Sequence, residues 1–161
     1  MRKFKIGQEV KFAESFTIQT MVLKEEKVIK PEDRNFIDKN AYLNVLSGEC
    51  RGKKVLLPDV EVDNYDYNNI SKMLIKKLDY FNIAEELDSR DAIYENLKES
   101  LNDIVDKISE VGKAKVPMAF ISGYIIGRLG AEFELDGIMG DLEVRKEDVI
   151  DELEDLLQDI F

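Results

Sequence analysis

Ile93, Leu97, Leu101, Ile104, Ile108 and Val111 recur at spacings of four, four, three, four and three. That rhythm places one apolar stripe along a helix, and it constrains the fold more than any other feature of this chain. Ser89 stands where an N-cap would sit, and Gly112 follows the last apolar residue as a helix stop. An amphipathic helix of this length needs a partner surface, so the residues around it are expected to be helical too.

The flanking residues carry the same period. Ile70, Leu74, Leu78 and Phe81 follow the possible caps Asn68 and Asn69, and Asn82 ends that helix. Pro117 opens a third helix, and residues 118–129 are apolar almost all round, which predicts burial. Ala119, Gly123, Gly127 and Ala131 fall four apart on it. Small residues at that spacing let a backbone cross closely, either a neighbouring helix or a second copy. Phe133 and Leu135 alternate with Glu132, Glu134 and Asp136, which predicts a strand; Gly137 and Gly140 turn it, and Leu142 and Val144 return. A last helix starts at about Lys146. Val149, Leu153, Leu156 and Ile160 make its inner face; Glu147, Asp148, Asp151, Glu152, Glu154, Asp155 and Asp159 make its outer one.

The front has the period of a strand instead. Phe4/Ile6, Val10/Phe12 and Phe16/Ile18 alternate with polar residues. Met21-Val22-Leu23 and Val28-Ile29 bracket the charged residues 24–27, which read as a turn, and residues 31–40 read as a loop. Residues 42–46 and 53–57 flank Ser47-Gly48-Glu49-Cys50-Arg51-Gly52, a hairpin pattern. Val60 and Val62 close the region. Ile6-Gly7-Gln8-Glu9-Val10 and Gly52-Lys53-Lys54-Val55 resemble the opening and closing strands of SH3-like barrels, over about a third of the chain. The resemblance implies shape, not function. The expected fold is α+β: a small β-barrel or curled sheet over residues 1–66, then about four helices with a short β-hairpin over residues 67–161.

Composition limits the chemistry. The 161 residues contain no histidine and one cysteine, Cys50. Ser-His-Asp and Cys-His catalysis are excluded, as are Cys/His zinc sites. No cofactor fingerprint or phosphate loop is present. After Pro58-Asp59, a metal nuclease needs a later acid-x-Lys strand, and Glu143-Val144-Arg145-Lys146 misses that spacing by one residue. Asp59, Glu61 and Asp63 could share a strand face and hold Mg2+ or Ca2+, as could Glu132, Glu134 and Asp136; the plainer reading is two solvated strand faces. Arg51, Lys53 and Lys54, with Arg2, Lys3 and Lys5, make a basic edge. Such an edge either contacts single-stranded nucleic acid or blocks strand pairing. The lone cysteine, the lack of an apolar run after the basic N-terminal residues and the shortness of the run 116–126 predict a cytoplasmic protein without a membrane segment.

Charge points to a partner. The chain nets −11, and residues 117–161 carry 12 Asp/Glu against 3 Lys/Arg. The acidic half repels nucleic acid and suits a basic protein. Like charges at i, i+4, as in Glu147/Asp151 and Asp151/Asp155, weaken a helix. The expectation is a non-enzymatic regulator or inhibitor whose seven C-terminal carboxylates bind a basic protein, a nucleic-acid-binding protein being one such partner. A mobile-element product that blocks a host nuclease would have this profile. The alternative is a homo-oligomer assembled through Ala119, Gly123 and Gly127.

Overall fold

The computed structural model describes residues 1–87, 90–111 and 118–161, without the side chains of 106, 108–111, 118 and 119. The expected cap at Ser89, the stop at Gly112, the opening at Pro117 and the side chains of Ile108, Val111 and Ala119 lie outside that description. Two compact units emerge, Met1–Asp66 and Tyr67–Asp159, with Ile160 grouped with the first and Phe161 with the second.

The first unit holds seven strands: β1 (Arg2–Ile6), β2 (Phe16–Gln19), β3 (Glu26–Ile29), β4 (Asn35–Ile37), β5 (Tyr42–Val45), β6 (Lys54–Leu56) and β7 (Val60–Tyr65). They form three small sheets, and none closes into a barrel. β1 runs parallel to β7, pairing Phe4 with Val62 and Ile6 with Tyr65. One more residue lies between these pairs on β7 than on β1, and Asn64 takes a φ of 56° there. That is the geometry of a bulge. β2 and β3 form an antiparallel hairpin. β5 lies between β4 and β6, antiparallel to both, so the hairpin read from residues 42–57 is present.

Two local departures from the sequence reading have clear causes. Val10 and Phe12 are not in a strand. Gly7, at φ 86°, turns the chain out of β1, and the Asn35 amide then satisfies Val10 as a strand neighbour would. Its Oδ1 accepts from Val10 N at 2.9 Å and its Nδ2 donates to Val10 O at 3.0 Å. Asn35 is 2 % exposed, so this amide is part of the interior. Conversely, the Pro/Asp/Asn-rich loop contains β4, buried on both faces and therefore without alternation. Asp38 makes the β4–β5 turn: its Oδ1 accepts from Asn40 N and Tyr42 N, and its Oδ2 from Asn44 Nδ2. The core gathers Ile29, Ile37, Leu43, Val45 and Cys50, with Phe4, Val10, Phe12, Phe16, Ile18, Val55, Leu57 and Val62 packed on it.

The second unit is helical: α1 (Tyr67–Tyr80), α2 (Ile83–Glu86), α3 (Arg90–Val111), α4 (Met118–Phe133), α5 (Leu135–Asp141) and α6 (Lys146–Leu157). α3 packs on α1 and α4, and α4 packs on α5 and α6. Ile93, Leu97, Leu101 and Ile104 are buried, as are Ile70, Leu74 and Leu78 of α1. Asn82, in the left-handed region at φ 61°, separates α1 from α2.

The expected hairpin at residues 133–144 is absent. Phe133 ends α4, Glu134 breaks the helix at φ 54°, and α5 follows at once with Leu135 and Met139 buried one turn apart. Glu143 ends α5 in the left-handed region, with Val144 N donating to Met139 O at 2.8 Å. This is the six-to-one bond of a Schellman stop, a place usually taken by glycine. The alternation read as a strand was therefore two helix ends abutting.

Candidate acidic docking face

α6 begins at Arg145 without a side-chain cap and carries Glu147 and Asp148 in its first turn, where the helix dipole favours anions. No basic residue occupies its last turn, so Glu154 and Asp155 sit against the unfavourable end. Val149, Leu153, Leu156 and Leu157 are buried. That burial sets the roll of the helix and turns the acidic residues outward.

The carboxylates are not equivalent. Glu147, Asp148, Asp151 and Asp155 are exposed; Glu152, Glu154 and Asp159 are half-buried. Glu152 accepts a hydrogen bond from Lys77 Nζ of α1 at 3.1 Å, and Glu147 lies 4.0 Å from Arg145. Among the described residues, no ion pair involves Asp148, Asp151 or Asp155, which stand three and four residues apart on the open side. The part of the α6 acidic surface that is both exposed and uncompensated is this narrower row. Leu157 is also buried, although it was not among the residues read as inward-facing.

The other sequence candidates are dispersed or engaged. Glu61 and Asp63 project from β7, while Asp59 precedes it at φ 53°. Glu132, Glu134 and Asp136 lie around a helix break and share no strand face. Among the described residues, no group of three or more His, Cys, Asp or Glu gathers as a metal site would require. In the basic edge, Lys54 Nζ lies 3.5 Å from the buried Asp38 carboxylate, and Arg2 donates to Pro58 O. Phe4, Phe12 and Phe16 pack on the core.

The glycines of α4 stand differently from the tightly crossed arrangement expected of them. Among the described residues, a Cβ at Gly123 or Gly127 would meet nothing within 4 Å. Phe120, one turn before, is 62 % exposed. Among its described residues, Ile121, Ser122, Ile125, Ile126 and Leu129 are buried and lie on one side of this helix.

A polar interlock between α3 and α4 was not read from the sequence. Asn96 Nδ2 donates to Glu132 Oε2 at 2.6 Å, and Arg128 reaches Asp103 at 3.8 Å and Glu132 at 3.5 Å. A hydrogen bond with the Tyr124 hydroxyl raises the Arg128 pKa and holds its charge more firmly. Lys107 Nζ sits 5.6 Å from the Tyr124 ring centroid. Each member is a common surface residue, and only the packing of α3 on α4 unites them. The arrangement supplies helix registry and presents no nucleophile beside a base.

No family model, curated protein or solved structure matches this chain. Among the described residues, no helix is long and apolar enough to cross a membrane.

Proposed function

We propose that this is a non-enzymatic interaction protein, an acidic regulator or inhibitor that docks α6 on a basic protein surface of the kind that binds nucleic acid. The observation that carries the reading is the row Asp148, Asp151 and Asp155, exposed and uncompensated on a helix anchored by four buried aliphatic residues. Such a row gives up helix stability through like-charge pairs and an acidic C-terminal turn, a cost recovered when cations dock against it. A nuclease of a host cell, blocked by a mobile-element product, fits that partner chemistry. The test is an association-rate series across salt for the wild type and for Asp151→Lys/Asp155→Lys. Slower association and a flatter salt slope in the variant support the reading; identical rates and slopes overturn it.

A second reading has its own observation. Among the described residues, none covers the side of α4 that holds Gly123, Gly127 and the exposed Phe120, which favours a homo-oligomer through the Ala119/Gly123/Gly127 face. Mass measured against concentration, with Gly123→Leu as the blocking variant, separates the two.

A further inference from the structure

We propose that the outer edge of β3 is a latent pairing edge for a second copy of this chain, held shut by Glu49, Cys50 and Asp33. In an antiparallel hairpin, opposed residues alternate between exchanging backbone bonds and exchanging none. Thr20 N donates to Glu25 O, so Ile18–Lys27 and Phe16–Ile29 are the bonded pairs and Thr17–Val28 is an unbonded one. Val28 therefore points its N–H and C=O away from β2, as do Glu26 and Lys30, two residues to either side. An unpaired row of this kind is a template for another strand.

The sheet ends at β3, and side chains stand where a next strand would lie. Val28 N donates to Glu49 Oε2 at 2.7 Å, and Cys50 Sγ donates to Val28 O at 3.5 Å. Lys30 N donates to Asp33 Oδ2 at 2.9 Å, and Lys30 O accepts from Asp33 N at 3.0 Å. Both outward positions are thus closed on donor and acceptor alike. Gly48 lets the loop come this near: it stands at φ 78°, and a Cβ there would strike the Asp33 carboxylate. Asp33 and Cys50 are buried, whereas Glu49 is exposed and reaches Val28 from the surface. Glu49 is the clasp that opens with least disturbance to the core.

Once open, the edge is complementary to itself. Antiparallel pairing centred on Val28 sets Val28 against its own copy, Glu26 against Lys30 and Lys27 against Ile29. The two Val28 residues exchange both backbone bonds. Glu26 and Lys30 are exposed and of opposite charge, and the two-fold axis makes that pair twice. Pro31 stops the pairing, because it has no N–H to offer. The charge order along β3 thus selects a second copy as the occupant.

The experiment uses the full chain. Mass is followed against concentration by sedimentation for the wild type, Glu49→Ala, Glu49→Gln and Asp33→Ala/Glu49→Ala. Glu49→Ala is expected to self-associate about 10-fold or more tightly than the wild type, and the double variant more tightly still. Glu49→Gln keeps an acceptor for Val28 N and is expected to follow the wild type. Asp33 is buried, so the double variant counts only if it melts cooperatively; Glu49→Ala, altered at an exposed side chain, decides the matter otherwise. Adding Lys30→Glu to Glu49→Ala sets carboxylates against each other and should abolish the association, and adding Glu26→Lys as well should restore it. Glu49→Ala no more associated than the wild type overturns the inference. So does association that survives Lys30→Glu, and so does association that Gly123→Leu abolishes, which would put the seam on α4.

Discussion

Lys77 of α1 donates to Glu152 of α6, Nζ to Oε2 at 3.1 Å, which ties one member of the acidic row to the helix beside it. The two side chains are 36 % and 38 % exposed, so water screens the pair and its worth is small, about 0–1 kcal/mol. Glu152→Gln is accordingly expected to lower the denaturant midpoint only slightly, and to slow partner association less than Asp151→Lys. Equal effects of the two changes on the association rate would show that Glu152 leaves Lys77 to meet the partner.

Gly127→Ala should stabilise the protein. Among the described residues, its Cβ would meet nothing within 4 Å, and the position is exposed within α4. Replacing a helical glycine there removes unfolded-state entropy worth about 0.5–1 kcal/mol. A thermal melt checks it. A fall in melting temperature, or a change in mass, would place a neighbouring backbone against this face.

Asp38→Ala should be among the most damaging single changes in the first unit. The carboxylate is 1 % exposed, and its removal strips acceptors from Asn40 N, Tyr42 N and Asn44 Nδ2 at once. Asn40 and Tyr42 are exposed enough for water to take over, and Asn44 Nδ2 keeps its bond to Tyr42 O, so the expected loss is about 1–3 kcal/mol in all. Urea unfolding measures the loss, and Asp38→Asn, which keeps acceptor capacity, should recover part of it.

Cys50 should resist alkylation in the native state and react on unfolding. Its thiol is buried and donates towards Val28 O, and burial is the main cause that raises its pKa above the ordinary 9.0. The unfolded thiol therefore loses its proton first. Native stability from this group is intact below pH 9.0 and falls as pH rises past it. Tyr65, also raised by burial, adds to the fall above its ordinary 10.0. Denaturation midpoints followed upward from neutral pH should decline, and Cys50→Ser should flatten the first part of the decline.

The helical elements were largely legible because their period repeats many times: Ile93 through Ile104 and Val149 through Leu156 are buried where that period puts them. The strands were less so, since four residues of alternation carry little information and β4, buried on both sides, carries none. The stops were hardest. Glu134 and Glu143 end helices in a conformation that sequence reading assigns to glycine, so a helix–helix corner passed for a hairpin.

By itself, the sequence determined the helical stripe, the acidic bias of the C-terminal residues, the unique cysteine and the absence of histidine chemistry. All of these are properties of residue identity and short-range spacing. Tertiary structure alone decided that β1 pairs in parallel with β7, that Asn35 stands in for a strand beside Val10, and that Gly127 faces outward. It also decided that Lys77 removes Glu152 from the uncompensated row while Asp151 and Asp155 stay in it. The physical reason is common to all of these: each depends on which surfaces meet across long sequence separations, and burial and hydrogen-bond satisfaction are settled only when the partner segments arrive.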